Sequence, residues 1–326
     1  MRLLVTGGLG FIGSNFVLNV LKNNSDIIVT NVDAELTGSD LRNLDGLKDS
    51  SNYKYVKGNI TNKILMEKLI ENSDFVVNFA AETFVDRSIL DSNQFLVSNI
   101  RGTYTILECI RKYKKRFIQI STDEVFGSME TDSADEEFRF NPSNPYAATK
   151  ASAELLINSY VNTYDLDCVI TRCTNNYGPR QFYEKLIPKT IFLANHDKKI
   201  PIYGTGKNIR DWIFVDDHCE AVYNVLLNGK SGESYNISSN NELDNTTIVK
   251  TILELMNKSD NLIEYVDDRP GHDLRYSLDS SKIRKSLKWA EKTTFQEGLE
   301  ETIEWYLKSD NQSITKESLN PTPWKK

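Results

Sequence analysis

RLLVTGGLGFIGSN, residues 2–15, decides the fold. Its first five residues are a short, nearly continuous apolar run, the pattern of a parallel strand buried on both faces. The run enters three glycines spaced Gly7-x-x-Gly10-x-x-Gly13, and a helical pattern occupies 11–22. Small residues at such a junction let the backbone turn sharply and approach a pyrophosphate at the positive end of the helix. Glycines alone would equally serve a tight turn. The strand before, the helix after, and Asp33, 20 residues beyond Gly13, decide between the two. A carboxylate at that place accepts hydrogen bonds from the adenosine ribose and repels a 2′-phosphate. The expected cofactor is a dinucleotide, NAD rather than NADP, held by Gly7, Gly10, Gly13 and Asp33.

Outward from this unit, the runs at 26–33, 53–59, 74–81, 116–122 and 166–173 read as further buried strands. Helical patterns lie at 62–71, 92–113 and 145–163. Such alternation implies βαβ units with right-handed crossovers. The expected fold is α/β, a Rossmann-type doubly wound parallel sheet with a smaller, mixed C-terminal substrate-binding lobe. Residues 1–178 are assigned to the cofactor domain. After 178 the segments shorten and turn signals accumulate (GPR, IPIYGTG, DDRPGHD), so 179–305 reads mainly as the substrate lobe. The segment 212–235 is expected to return to the first domain as a strand and helix, and 306–326 reads as a polar tail.

The 326 residues carry 39 Lys+Arg and 46 Asp+Glu, a net charge of -7. That balance argues against a nucleic-acid scaffold or an anionic-membrane binder. No apolar run approaches the roughly 18 residues of a membrane span. The N-terminus enters a strand at once, without the regions of a signal peptide, so a cytoplasmic location is expected. Cysteines 109, 168, 173 and 219 form no CxxC pair and read as buried thiols. The three histidines are scattered, and no metal site is expected.

Two further clusters carry chemistry. Tyr146-Ala-Ala-Thr-Lys150 puts a phenol and an ammonium on one helix face, where the cation favours the phenolate and suits Tyr146 to acid/base work. Thr122, Asp123 and Glu124 end the fifth strand, the edge where parallel α/β folds place their chemistry. Two carboxyls beside a redox tyrosine supply one acid and one base for an elimination.

The glycine spacing with the later Tyr-x-x-x-Lys resembles the short-chain dehydrogenase/reductase superfamily. STDEVFG, FAAETFVDRSI (79–89), NPYAATKA (144–151), NNYGPRQFYEKLIP (175–188), NIRDWIFVDDH (208–218) and DRPGHDLRY (268–276) occur together. This set is similar to the nucleoside-diphosphate-sugar 4,6-dehydratases over about residues 1–305. The resemblance implies that Tyr146 takes the proton of the sugar 4-hydroxyl as hydride leaves C4 for NAD. It places Thr122 on the same oxygen and Lys150 on the nicotinamide ribose. Glu124 then removes the C5 proton, protonated Asp123 expels the 6-hydroxyl as water, and hydride returns to C6.

It further implies that Phe11 and Ile12 line the pyrophosphate turn, Asn59 and Ile60 the adenine, and Ala80, Ala81 and Thr83 the cofactor. Asn175 is placed at the sugar or nicotinamide end. Lys185, Leu186, Pro201, Tyr203, Arg210, Asn245, Arg269 and His272 are placed around the nucleotide and diphosphate, where a planar guanidinium suits paired phosphate oxygens. The implied substrate is a nucleotide sugar, with dTDP-glucose expected. The same chemistry on UDP-glucose or another base, a UDP-sugar epimerase or decarboxylase, and a catalytically silent NAD-binding module are the alternatives. The resemblance also implies a homodimer joined through the helices at 92–113 and 145–163, which carry Phe95, Leu96, Ile100, Leu155, Leu156 and Tyr160. Four departures stand out: Asn59 for a usual Asp, AELTGSD after Asp33, Phe84 for a usual His, and Tyr183 for a usual Pro.

Overall fold

In the computed structural model, which describes residues 1–308 and Asn320, strand β1 (Arg2–Thr6) turns through the glycines into helix α1 (Phe11–Asn23). There follow β2 (Ile28–Asp33), β3 (Tyr53–Lys57), α2 (Lys63–Glu71), β4 (Phe75–Asn78), α3 (Val85–Leu90), α4 (Asn93–Phe95) and α5 (Gly102–Tyr113). Next come β5 (Arg116–Thr122), α6 (Pro145–Tyr164), β6 (Cys168–Cys173), β7 (Asn175–Tyr177), α7 (Leu186–Asn195), β8 (Ile200–Tyr203) and β9 (Ile209–Phe214). The chain continues through α8 (Val215–Asn228), β10 (Ser234–Ile237), β11 (Glu242–Asp244), α9 (Asn245–Leu255), β12 (Ile263–Val266), α10 (Ser281–Leu287) and α11 (Phe295–Lys308).

Seven strands form one parallel sheet in the order β10-β6-β5-β4-β1-β2-β3. Strand alternation sends Leu3 and Val5 to one face and Leu4 to the other. The first face is covered by Phe16, Val17 and Val20 of α1 and by Val222 and Val225 of α8. Met66 and Ile70 of α2, Ile106 and Ile110 of α5, and Ile157 of α6 cover the second. Each such side chain contributes roughly 1.5–3 kcal/mol by burial, so both layers hold the sheet rigid. Strand order reverses between β1 and β4, and a crevice opens beyond the strand ends there.

A second body contains the sheets β11-β9-β7 and β12-β8 around Tyr177, Ile187, Ile191, Phe214, Ile248 and Ile303. The segment 212–235 divides between the two bodies. Helix α8 packs on the large sheet's core and β10 pairs with β6. The strand at its head, expected with the cofactor domain, instead pairs as β9 with β7 and β11. The edge of β6 is taken by β10, and Trp212 and Phe214 find their apolar partners in the second core. The tail boundary also moves. Tyr306 is buried against Tyr183, so α11 runs to Lys308. The remainder of the expected tail lies outside the described residues.

Two local features aim the site. Asn144 caps α6 by accepting from Ala147 N, with Pro145 at the first helical position. The helical run at 92–113 carries a π turn over Leu96–Arg101. That turn buries Asn99, which accepts from Glu82 N at 2.9 Å and donates to Thr149 Oγ1 at 2.9 Å. The loop after β4 is thereby tied to α6. All four cysteines are buried free thiols. No helix among the described residues is long and apolar enough to cross a membrane.

Candidate active site

A cleft of about 280 Å³ opens along the C-terminal ends of β1, β2, β4 and β5. Gly7, at φ +69°, makes the turn under it. A Cβ on Gly13 would stand 2.3 Å from Gly7 O and 2.9 Å from Gly8 Cα, so only glycine lets α1 start against that turn. Gly10 caps α1 without any side-chain bond, and the first turn holds no acid. The helix amides are therefore left for an anion. Asp33 is buried at the end of β2, accepting from Leu9 N (3.0 Å), Glu35 N (2.8 Å) and Ser39 Oγ (2.8 Å). Phe11, Ile12, Asn59, Ile60, Ala80, Ala81 and Thr83 line the same cleft. The Asn59 side-chain oxygen is engaged by Thr61 N and Oγ1. The glycine cradle, the uncapped amides and the Asp33 carboxylate fit a dinucleotide.

Thr122, Asp123, Glu124, Tyr146 and Lys150 meet at the far end of the cleft. Thr122 Oγ1 donates to Asp123 Oδ1 at 3.0 Å and also hydrogen-bonds the Tyr146 hydroxyl. Asp123 Oδ2 is buried without a hydrogen-bond partner. Burial, and next the neighbouring Glu124, push the Asp123 carboxyl up to about 8. Glu124 Oε2 accepts from Asn144 Nδ2 at 3.2 Å and lies 3.4 Å from the Tyr276 hydroxyl.

The electrostatics of the tyrosine–lysine pair differ from the sequence expectation. Burial, followed by Glu124, holds the Tyr146 phenol well above its usual value. Lys150 is itself lowered to about 8 by burial, and its Nζ donates to Ile120 O at 2.6 Å. Desolvation of the phenol thus outweighs the ammonium.

Asn175 and Lys185 share the cleft with these groups. Lys185 Nζ donates to Thr83 O at 3.2 Å and sits 4.8 Å from the Phe84 ring centre. Tyr203, Arg210, Arg269 and His272 gather in an adjoining polar wall. Arg269 pairs with Asp86 at 2.9 Å, and the Tyr203 hydroxyl lies 3.4 Å from Asp86 Oδ2. Arg210 stacks 4.2 Å over the Tyr276 ring. Burial first, then Arg269 and Arg210, lower His272 to about 4. Leu186, Pro201 and Asn245 lie outside the cleft lining. Leu186 opens α7 and packs into the second core, Pro201 pairs with Glu264 in the β8–β12 sheet, and Asn245 N donates to Asn208 O.

Asp86, Asn144, Asp273 and Tyr276 were not singled out by sequence reasoning. All four lie within the quoted motifs. What sequence alone lacks is any sign that Asn144 and Tyr276 reach Glu124, that Asp86 reaches Arg269, and that Asp273 reaches Tyr276.

A family model described as GDP-mannose 4,6 dehydratase matches residues 4–302. The low-salt glycan biosynthesis protein Agl12 of Haloferax volcanii is 46% identical over 311 residues, 95% of this chain and 100% of its own. The dTDP-glucose 4,6-dehydratase of Mycobacterium tuberculosis is 44% identical over 317 residues, 96% of this chain and 95% of its own. The structure of dTDP-glucose 4,6-dehydratase from Streptomyces venezuelae with NAD and dTDP bound superposes with a TM-score of 0.92 at 40% identity. It covers 94% of this chain and 97% of its own.

Proposed function

The chain belongs to the nucleotide-sugar 4,6-dehydratase family, and from that premise we propose that it is an NAD-dependent dTDP-glucose 4,6-dehydratase. The observation that carries the reading is the Asp123–Glu124 pair beside Tyr146. One carboxyl is buried, unpartnered at Oδ2 and pushed up to about 8, while its neighbour is held open to the cleft by Asn144. Two carboxyls with separated environments divide into an acid and a base.

NAD, when bound, supplies a hydride acceptor that later becomes the donor, and a positive ring that favours the phenolate. Gly7, Gly10 and Gly13 with Phe11 and Ile12 cradle its pyrophosphate, Asp33 takes the ribose hydroxyls, and Asn59, Ile60, Ala80, Ala81 and Thr83 wall it. Tyr146 receives the proton of the sugar 4-hydroxyl, and Thr122 orients the same oxygen. Lys150 holds the nicotinamide ribose. The resulting 4-ketone acidifies C5, and Glu124 takes the C5 proton. Asp123 gives its proton to the 6-hydroxyl, which departs as water. Lys185, Tyr203, Arg210, Arg269 and His272 take the nucleotide diphosphate, and Asn175 takes the sugar. We assign cofactor binding to residues 1–178 with α8 and β10, and substrate binding mainly to the second body.

Mass spectrometry of products from dTDP-, UDP-, CDP- and GDP-glucose tests this. Fastest loss of one water from dTDP-glucose is expected, with deuterium placed at C4 of the substrate recovered at C6 of the product. A product of unchanged mass would establish epimerisation, and faster turnover of UDP-glucose would replace the nucleobase assignment. Calorimetry is expected to show tighter NAD than NADP binding because of Asp33; equal affinities would refute that role. The buried free thiols suit a reducing compartment, and we place the enzyme in the cytoplasm. We further propose a homodimer, supported by exposed apolar side chains on the surface of α5, α6 and the π turn.

A further inference from the structure

Glu124 has a second neighbour that leads away from the cleft. Tyr276 is buried, with its hydroxyl 2.6 Å from Asp273 Oδ2 and 3.4 Å from Glu124 Oε2. A phenol has one proton and donates it to one partner at a time. The shorter contact assigns that proton to Asp273, which leaves the Tyr276 lone pairs toward Glu124. An ionised Glu124 gains nothing from lone pairs, whereas a protonated Glu124 donates to them. On the far side, Asp273 Oδ1 accepts from Ser143 Oγ at 2.6 Å, and Ser143 is exposed. The array is braced by Arg210, which stacks on the Tyr276 ring and donates to Asp273 O at 2.9 Å. Burial and the nearby Glu124 hold the phenol well above its usual value, so it stays a hydroxyl.

We propose that Tyr276 and Asp273 form a proton relay that drains Glu124 after it has taken the C5 proton and refills it from solvent at Ser143. The inference rests on the dehydratase reading above. On the outward step the Glu124 O–H breaks as its proton passes to the Tyr276 oxygen. The Tyr276 O–H breaks as its proton passes to Asp273, and Asp273 releases one proton to solvent. The inward step reverses these transfers, and Glu124 then protonates C5. The protein neither gains nor loses a proton over the cycle, and the C5 hydrogen of the product comes from solvent.

The test is turnover of dTDP-glucose in deuterium oxide. Wild type is expected to place one deuterium at C5 for each water lost. Tyr276→Phe keeps the ring under Arg210 but lacks the hydroxyl. Its Glu124 returns the substrate's own proton, so the C5 label drops to a minor fraction. Its kcat falls only about 2- to 10-fold, the range for losing one neutral hydrogen bond to protonated Glu124, with KM unchanged. Asp273→Asn keeps the main-chain carbonyl for Arg210 but cannot receive a proton, and is expected to lose the label likewise. Damage to the Arg210 site alone would raise KM and leave the label full. Full C5 label in both variants overturns the relay while the dehydratase reading stands. A wild type that loses no water from dTDP-glucose overturns that reading and the relay with it.

Discussion

Asp123 and Glu124 are adjacent in sequence yet have different surroundings, and that difference can be measured. Folding raises the Asp123 carboxyl from 3.8 to about 8, chiefly through burial. Between those values the folded chain holds a proton that the unfolded chain has released. The stability that depends on this proton is present below the ordinary carboxylate range and is lost as pH rises through 8. Asp123→Asn removes the titration, so its unfolding free energy relative to wild type, read from denaturant melts, should climb from pH 5 to about pH 8 and level off above it, with a limiting slope of about 1.4 kcal/mol per pH unit. A difference that stays flat with pH would show that Asp123 is ionised in the fold. In catalysis, Glu124→Gln should slow C5 exchange with solvent by about 10²–10⁴-fold while C4 oxidation survives. Tyr146→Phe should abolish C4 oxidation itself. Wild-type turnover by Glu124→Gln would remove Glu124 as the base. The clustering of Thr122, Asp123, Glu124, Tyr146 and Lys150 in one cleft was legible because strand-end placement and the Tyr-x-x-x-Lys step are local. The tyrosine's own electrostatics were not, because burial is set by residues distant in sequence.

At the scale of elements, the glycine turn separates folding from binding. A Cβ on Gly13 meets backbone on two sides, at 2.3 and 2.9 Å, and backbone cannot rotate away. A Cβ on Gly10 meets only Gly7 O, at 3.3 Å, in ordinary extended backbone. Gly13→Ala should therefore lower the melting temperature and weaken NAD together. Gly10→Ala should leave melting near wild type and weaken NAD alone, since Gly10 lines the cleft. Calorimetry beside thermal melting checks both, and equal destabilisation by the two variants would contradict the geometry. The parallel strands β1, β2, β4, β5 and β6 were legible because burial between two helical layers leaves apolar runs, whereas β3, at the sheet edge, has no fully buried side chain and mixes exposed lysines with its apolar residues. β9 was read with the wrong sheet: its apolar run shows that it is a strand but not which edge it joins. The π turn at Leu96–Arg101 had no sequence signal, because the side-chain pattern on either side remains helical.

For the whole molecule the decisive surface is the one that the fold leaves apolar. Of the side chains expected at a dimer face, Phe95 is buried against Val85 and Tyr146, inside the chain's own core. Leu96 is 48% exposed and Leu155 59%, and Tyr104, from α5, is 47% exposed. Sequence could not divide these sets, since Phe95 and Leu96, and Leu155 and Leu156, are adjacent apolar residues and only packing shows which of them meets the sheet. Three large apolar side chains left in water on neighbouring helical segments favour a twofold contact, in which each patch meets its own copy. Stable contacts of this kind bury about 800 Å² per partner. Light scattering at micromolar concentration should therefore give twice the chain mass. Leu155→Glu should shift it to the chain mass, because two carboxylates would face one another across the axis. Since Leu155 is already solvated in the single chain, the substitution should cost the monomer within about 0.5 kcal/mol. NAD binding by the variant should then persist, as the cleft lining lacks Leu155. A wild type that scatters as a monomer refutes the dimer. A Leu155→Glu variant that remains dimeric moves the contact to another face.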